Sequence, residues 1–230
     1  MVMKVFLDSA SIDDMEKYAS AVEGFTTNPS LMRQAGVQDY ERWGREVLSR
    51  FPNHSISMEV VTDDPGEMER QGKLIASWGA NVFVKIPICT STGEPTAKVI
   101  KRLSGAGVRV NVTAVMTRQQ VKAAIRALDK KARAIISVFA GRIEDTGTDP
   151  RGVVTLAVRL SRQYRGFDVL WASTRSVRDI SVAGTRGVDI ITLTRPIMDK
   201  LNVIGRDLHQ YSVETVKQFY TDATLSGYTL

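Results

Sequence analysis

Eight short runs rich in β-branched and apolar residues, each followed by a segment with helical periodicity, restrict what this chain of 230 residues can fold into. Alternation of this kind predicts βα units arranged around a parallel sheet. Eight such units are the number that closes a parallel sheet into a barrel. The sequence therefore predicts an α/β protein built as one (β/α)8, or TIM, barrel. The predicted strands cover residues 4–8, 24–27, 56–61, 81–88, 108–112, 134–139, 167–172 and 189–193.

The segments between these strands have the apolar periodicity of outer helices. Pro65 and Pro95 stand where a first helical turn tolerates proline, and glycines follow several segments where a left-handed cap suits glycine. We expect residues 1–230 to form a single domain, with an additional C-terminal helix packed on the barrel or on a neighbouring subunit. The predicted helices cover residues 13–21, 40–50, 65–78, 95–103, 118–128, 150–164, 175–183 and about 213–223.

Composition argues against several classes of protein. Apolar residues make up 43% of the chain and charged residues 24%, which indicates a packed core. The net charge of +6 would suit a nucleic-acid partner, but lysine and arginine are scattered among acidic residues, so we expect none. No apolar run approaches the length of a membrane span, and the first residues lack a signal-peptide pattern, so we expect a cytoplasmic protein without a membrane partner.

Metal and cofactor chemistry has little support in the sequence. One cysteine, Cys89, excludes an internal disulfide, and with two histidines it cannot form a spaced Cys/His cluster. We therefore expect no metal and no cofactor, although a magnesium ion held by carboxylates stays open.

Polar side chains stand at the end of every predicted strand. In a (β/α)8 barrel, catalytic groups project from the C-terminal ends of the strands. Any one of these residues could satisfy a turn or cap a helix, but together they would leave much unpaired polarity at one rim unless a ligand or water fills it. The residues are Asp8, Thr26, Thr27, Asn28, Glu59, Lys85, Asn111, Thr113, Ser137, Ser173, Thr192, Thr194 and Arg195.

Lys85 stands inside the apolar run VFVKIPI at residues 82–88, which is typical of a strand covered on both faces. Lysine is almost never fully buried without a partner. Desolvation favours the neutral amine, which is the form that attacks a ketone to give a Schiff base. The alternative is a structural ion pair with Asp8 or Glu59 across the barrel, and the strand pattern favours neither interpretation.

Two carboxyl groups could supply general acid and base chemistry. Asp8 ends an apolar strand, where its alternative role is the N-cap of the first helix, although Ser11 is better placed for that. Glu59 lies within the third strand, where an inward carboxylate needs a partner.

Two arginines follow strands directly. Arg142 comes after the sixth strand and Arg175 after the seventh, where a guanidinium can bind a phosphate. Taken singly, each is explained better by a surface salt bridge, with Glu144, Asp145 or Asp179 as the partner.

Taken in chain order, the motifs resemble the transaldolase family, in its short form that also includes the fructose-6-phosphate aldolases. The resemblance spans nearly the whole chain, and the pairing of TTNPS with a later KIP is its most specific part. The matching motifs are FLD at 6–8, GFTTNPS at 24–30, SMEV at 57–60, VKIP at 84–87, NVT at 111–113, ISVFAGRI at 136–143 and ASTR at 172–175.

The resemblance implies transfer of a dihydroxyacetone unit between phosphorylated sugars. It makes Lys85 the Schiff-base lysine and Asp8 the acid/base that takes the proton of the C4 hydroxyl. It also implies that Glu59 and Thr113 hold a water that moves protons to and from the carbinolamine. It assigns the dihydroxyacetone hydroxyls to Asn28, Asn111 and Ser137, with Thr26 beside them in the substrate-binding site. It assigns the phosphates of donor and acceptor to Arg142, Ser173 and Arg175.

The same resemblance bears on the choice between transfer and simple cleavage. Glu59 and Phe139 match the transferase pattern, whereas the aldolases carry Gln and Tyr at these positions, and phenylalanine cannot donate a proton. The alternatives are a fructose-6-phosphate aldolase, a divergent member acting on another sugar phosphate, and a non-catalytic sugar-phosphate binder. Short members of the family commonly form rings of five or ten subunits, so we expect a homo-oligomer.

Overall fold

The computed structural model describes residues 2–228 and contains a closed barrel of eight parallel strands. Each strand pairs with its neighbours in the sequence, and β8 closes the barrel on β1. This arrangement confirms the predicted (β/α)8 fold. The strands are β1 Lys4–Asp8, β2 Gly24–Thr26, β3 Ser55–Glu59, β4 Val82–Pro87, β5 Val110–Val115, β6 Ala134–Val138, β7 Phe167–Trp171 and β8 Ile190–Thr194.

The helices alternate with the strands as predicted, and three short ones are additional. α2, α7 and α10 were not predicted, because segments of four to six residues show no helical period. The helices are α1 Ile12–Tyr18, α2 Pro29–Gln34, α3 Tyr40–Arg50, α4 Pro65–Ala76, α5 Ala97–Gly105, α6 Arg118–Ala127, α7 Ala140–Glu144, α8 Arg151–Ser161, α9 Arg178–Thr185, α10 Arg195–Met198 and α11 Leu208–Ser226.

Two helices begin two or three residues later than predicted, each for a local reason. α5 was expected from residue 95, but Pro95 forms an antiparallel bridge with Cys89. α9 was expected from residue 175, but the backbone N–H groups of Arg175 and Ser176 donate to the carboxylate of Asp179. This carboxylate holds the loop after β7 in a turn before the helix starts.

The chain divides into two compact units, one ending at Met198 and the other beginning at Asp199. The second unit contains α11, which is longer than the predicted 213–223, with Asp207 as its N-cap and Gly227 as its left-handed C-cap. No side chain of α11 is buried, and Val216, Phe219 and Tyr220 are exposed. The single domain and the packing of this helix stay predictions.

An apolar cluster fills the barrel directly below the strand ends. Phe6, Phe83, Leu170 and Ile190 are buried in it. Gly24 makes room for Phe6, because a Cβ there would lie 2.6 Å from the Phe6 ring and 2.5 Å from a backbone oxygen. The interior of the barrel is therefore a packed core, and the polar groups at the strand ends lie above apolar side chains.

Candidate active site

A cavity of about 570 Å³ opens among the C-terminal strand ends. Its volume suits a small organic ligand. The structure brings to its wall eleven of the twelve residues proposed from the sequence, Asn111 being the exception. They are Asp8, Thr26, Asn28, Glu59, Lys85, Thr113, Ser137, Phe139, Arg142, Ser173 and Arg175.

Lys85 lies at the base of this cavity and is 5% exposed. Its Nζ donates to the backbone oxygen of Thr27 at 2.6 Å and lies 2.8 Å from Glu59 Oε2. Glu59 and Lys85 are register partners on β3 and β4, so both side chains leave the sheet on one face. The ion pair left open by the sequence is thus present, with Glu59 as the partner. The Glu59 carboxylate therefore contacts the amino group of Lys85 directly.

Asp8 ends β1 and lines the same cavity as Lys85. Thr26 Oγ1 donates to Asp8 Oδ1 at 2.6 Å, as their pairing across β1 and β2 allows. Burial raises the pKa of the Asp8 carboxyl, and the Glu59 charge adds to this, while Thr26 and Lys85 oppose it. A carboxyl group whose pKa is raised towards neutrality suits proton transfer. The first helix is capped by Ser11, which leaves Asp8 free of that role.

Asn111 lies behind the cavity wall. It is fully buried, donates from Nδ2 to Ser57 Oγ at 3.0 Å and accepts from Ser137 Oγ at 2.7 Å. It therefore orients the Ser137 hydroxyl, which does line the cavity. Its direct contact with a substrate stays a prediction. Sequence reasoning did not assign Ser57 to the site, although it lies within a motif quoted above.

Asn28 combines a site position with a structural role. Its Oδ1 accepts from the backbone N–H of Leu31 at 3.0 Å and caps α2. The amide oxygen is thereby engaged, and the remaining NH₂ group is available to a ligand in the cavity. The helix-cap and substrate-binding interpretations are therefore compatible.

The fifth strand is distorted where it meets the cavity. Its pairing with β6 shifts register between Val112 and Val115, and Ala114 has a positive φ of 58°. Thr113 Oγ1 is buried there and has no hydrogen-bond partner among the residues that the structure describes. An irregularity of this kind re-aims a side chain, and the unsatisfied hydroxyl calls for a ligand or water.

A second distortion follows β7. Ser173 has a positive φ of 64°, an uncommon conformation for a residue with a Cβ. Gly141 packs against it so closely that a Cβ at position 141 would collide with the Ser173 carbonyl oxygen. Both distorted residues, Ala114 and Ser173, line the cavity. Strained backbone at a cavity wall indicates a functional constraint.

The outer rim carries the two arginines. Arg175 binds Asp145 through two hydrogen bonds of 2.9 and 2.5 Å, so the surface salt bridge left open by the sequence exists. Hydrogen bonds from Arg175 lower the pKa of the Asp145 carboxyl, and the charge of Arg142 contributes. The Arg142 guanidinium lies 6.0 Å from the centre of the Phe139 ring. The rim therefore offers two cations, and one of them, Arg175, binds an exposed carboxylate.

Among residues 2–228, no three His, Cys, Asp or Glu side chains are grouped so that they could hold a metal ion. None of the helices in this range combines the length and apolar character needed to cross a membrane.

The cavity of this barrel thus brings together a buried lysine–carboxylate pair, a second carboxyl group and two arginines, which are side chains of the kind that enzyme active sites contain. Residues 5–226 match the sequence model of the Transaldolase/Fructose-6-phosphate aldolase family. The chain belongs to this family, as its motifs indicated.

Curated relatives agree with this assignment. A probable transaldolase of Dehalococcoides mccartyi is 34% identical over 85% of this chain and 88% of that protein. A probable transaldolase of Bdellovibrio bacteriovorus is 31% identical over 96% of this chain and 97% of that protein. Among solved structures, 3-hexulose-6-phosphate synthase from Salmonella typhimurium superposes with a TM-score of 0.61 at 15% identity, covering 86% of this chain and 91% of that one. That likeness concerns the fold alone.

Proposed function

We propose that this protein is a transaldolase that transfers a dihydroxyacetone unit between phosphorylated sugars through a Schiff base on Lys85. The observation that carries the proposal is the 2.8 Å contact between Lys85 Nζ and Glu59 Oε2 at the base of the cavity. A buried amine beside a proton acceptor is the arrangement that nucleophilic attack on a ketone requires. The family membership and the names of the relatives support the same activity.

The first stage forms the Schiff base. Glu59 takes a proton from the Lys85 ammonium, and the neutral amine adds to the carbonyl carbon of the ketose. A proton then moves from the nitrogen to the oxygen of this adduct, through the water that the Thr113 hydroxyl holds, to give the carbinolamine. Its hydroxyl leaves as water after it receives the proton held by Glu59, and an iminium group remains on Lys85. The short Lys85–Glu59 contact and the unsatisfied Thr113 hydroxyl support these roles.

The second stage breaks and remakes a carbon–carbon bond. Ionised Asp8 takes the proton of the C4 hydroxyl, the C3–C4 bond breaks, and its electrons pass to the iminium group to leave an enamine on Lys85. An acceptor aldose phosphate then replaces the released aldehyde, and protonated Asp8 returns the proton to the new hydroxyl. A raised pKa suits Asp8 to both steps, because each needs a different charge state.

Residues of the cavity wall and rim would bind the substrate. We assign the phosphate to Arg142, Ser173 and Arg175, with Arg175 exchanging its contact with Asp145 for the phosphate. The amide of Asn28, the hydroxyl of Thr26 and the Ser137 hydroxyl that Asn111 orients would bind the hydroxyls of the three-carbon unit. Their common cavity supports this assignment.

Transfer is favoured over simple cleavage by Phe139. Its ring packs partly buried against the apolar cluster below the site and lines the cavity, where it offers no proton. An enamine beside which one potential proton donor is missing persists longer, so an acceptor aldehyde has more time to arrive. The alternative is a lyase that releases free dihydroxyacetone, and we place either enzyme in cytoplasmic sugar-phosphate metabolism such as the pentose phosphate pathway. A homo-oligomer would fit the exposed apolar side chains of α11.

Borohydride trapping tests the Schiff base. The protein is incubated with fructose 6-phosphate, reduced and digested, and mass spectrometry should find a three-carbon or six-carbon adduct on the Lys85 peptide. An unmodified peptide with every sugar phosphate tried would favour a non-catalytic binder.

A second assay tests transfer. Release of glyceraldehyde 3-phosphate from fructose 6-phosphate is measured with and without erythrose 4-phosphate, and transfer requires that the acceptor accelerate it. Equal rates in both cases would show a lyase.

A further inference from the structure

Thr192 joins the Asp8 side of the site from a third strand. It lies on β8, is 4% exposed and lines the cavity. Its Oγ1 lies 2.6 Å from Thr26 Oγ1, and the same Thr26 atom lies 2.6 Å from Asp8 Oδ1. Since β1 pairs with both β2 and β8, barrel closure brings these three side chains into one chain of contacts.

Counting hydrogens fixes the direction of these bonds. A threonine hydroxyl has one hydrogen to donate, and an ionised carboxylate can only accept. When Asp8 is ionised, Thr26 must donate to Asp8, so the contact between the two threonines must use the hydrogen of Thr192. When Asp8 is protonated, it can donate to Thr26, and Thr26 can then donate to Thr192. The direction of the chain follows the charge of Asp8.

We propose that Thr192 is a positioning residue that stabilises the ionised form of Asp8 through Thr26. A hydroxyl that accepts one hydrogen bond becomes a stronger donor of the next, so the bond from Thr192 strengthens the bond from Thr26 to the carboxylate. Two charged groups also act on Asp8. Lys85 on β4 favours its ionised form, and Glu59 on β3 opposes it. Thr192 thereby shifts the balance towards the form that begins carbon–carbon cleavage, a consequence that rests on the proposed function.

The surroundings of Thr192 make a clean substitution possible. Its backbone oxygen accepts from Thr174 Oγ1 at 2.7 Å, and its backbone pairs with Phe6, so neither contact uses the side-chain hydroxyl. Thr192→Val keeps the branched shape and removes the hydroxyl. Thr192→Ser keeps the hydroxyl and removes a methyl group.

The direct test is a titration of Asp8 without substrate. Protein labelled with ¹³C at aspartate carboxyl carbons is titrated by NMR, and Asp8→Asn assigns the Asp8 signal. We expect Thr192→Val to raise the pKa of Asp8 by roughly 0.5, and Thr192→Ser to leave it near the wild-type value. An unchanged Asp8 titration in Thr192→Val would overturn the proposal, as would an equal rise in both variants, which would point to packing.

The kinetic test follows kcat/KM for fructose 6-phosphate cleavage against pH. The acid limb should move to higher pH in Thr192→Val by the amount seen in the titration, and Thr192→Ser should restore it. A loss of equal size at every pH would contradict the proposal. The two measurements fail separately: if no Schiff base can be trapped on Lys85 and the Asp8 titration still moves, the hydrogen-bond chain stands and the proposed function falls.

Discussion

The cavity contains two ion pairs that differ in their exposure to solvent. The Lys85–Glu59 pair lies at the base, where the side chains are 7% and 17% exposed, and the Arg175–Asp145 pair lies at the rim, where they are 45% and 52% exposed. Both are short, but a buried charge that loses its partner is costly, whereas an exposed pair is screened by water and exchanges partners easily. Under the proposed function, the base would hold the reacting groups in place, and the rim would exchange a carboxylate for an incoming phosphate.

The largest effect should come from removing the amine at the base. Lys85→Met should lower kcat/KM by about 10³-fold or more, because no Schiff base can form. Kinetic assay with fructose 6-phosphate and an acceptor measures this. The matched control is Lys73→Met, which removes an exposed lysine that pairs with Glu69, and it should keep full activity. Substantial turnover by Lys85→Met would assign the chemistry to another group.

Removing the carboxylate that contacts Lys85 should have a smaller effect than removing the lysine. Glu59→Gln keeps an oxygen beside Lys85 but removes the proton acceptor, so we expect kcat to fall about 10- to 100-fold. The rate of borohydride-trapped adduct formation should fall in parallel, since the lost step precedes the Schiff base. Glu69→Gln serves as the control, because Glu69 is similarly shielded and pairs with Lys73 and Arg102 but does not line the cavity. If the trapping rate were unchanged, Glu59 would have only a structural role.

At the rim, the expected effect falls on binding. Arg175→Ala should raise KM for a phosphorylated ketose about tenfold with little change in kcat, because a charge-assisted hydrogen bond is lost in ground and transition states alike. Arg151→Ala removes a similarly exposed arginine paired with Asp149 and should leave KM unchanged. A fall in kcat without a rise in KM would place Arg175 in the chemistry and end the distinction between base and rim.

Asp145 tests the partner-exchange idea from the other side. Asp145→Asn removes the carboxylate that competes with phosphate for Arg175, so KM for a phosphorylated substrate should fall about two- to fivefold. Asp149→Asn, in the comparable pair with Arg151, should have no effect. A rise in KM for Asp145→Asn would mean that Asp145 holds Arg175 in its binding position and does not compete for it.

The barrel and most of the side chains that line its cavity could be predicted from the sequence for one physical reason. Parallel βα units all end at one rim, so a polar residue at a strand end has a defined place whatever the details of packing. Lys85 and Asp8 were found in this way. The ion-pair partner of Lys85 could not be predicted, because the sequence allowed either Asp8 or Glu59. The register of β3 and β4 places Glu59 beside Lys85, and the two side chains form the pair.

Contacts that depend on barrel closure were beyond the sequence pattern. Thr192 and Thr26 come from strands that flank β1, and their meeting depends on the stagger of the closed sheet, which periodicity does not specify. The positive φ of Ala114 and Ser173 gave no signal either, because neither residue type favours that conformation. The local signal that sequence reasoning could have used is Gly141, whose missing side chain lets the backbone approach Ser173.

The smallest predicted effect concerns thermal stability. Replacing the carboxyl group at the base, Asp8, should change Tm in the opposite direction to replacing the one at the rim, Asp145. Folding raises the pKa of Asp8 through burial, so its contribution to stability is full below the unfolded pKa of about 3.9 and is lost as pH rises through the folded pKa. Folding lowers the pKa of Asp145 through Arg175, so its contribution is present above the unfolded pKa and is lost as pH falls. At pH 7, Asp8→Asn should therefore raise Tm, and Asp145→Asn should lower it slightly.

Calorimetry of both variants between pH 3 and pH 7 measures these differences, each of which should shrink towards the acid end. An Asp8→Asn variant that is less stable than the wild type at pH 7 would mean that the bond from Thr26 outweighs the desolvation of the carboxylate. The wild-type enzyme would then hold Asp8 ionised at no cost in stability, and the base of the cavity would resemble the rim.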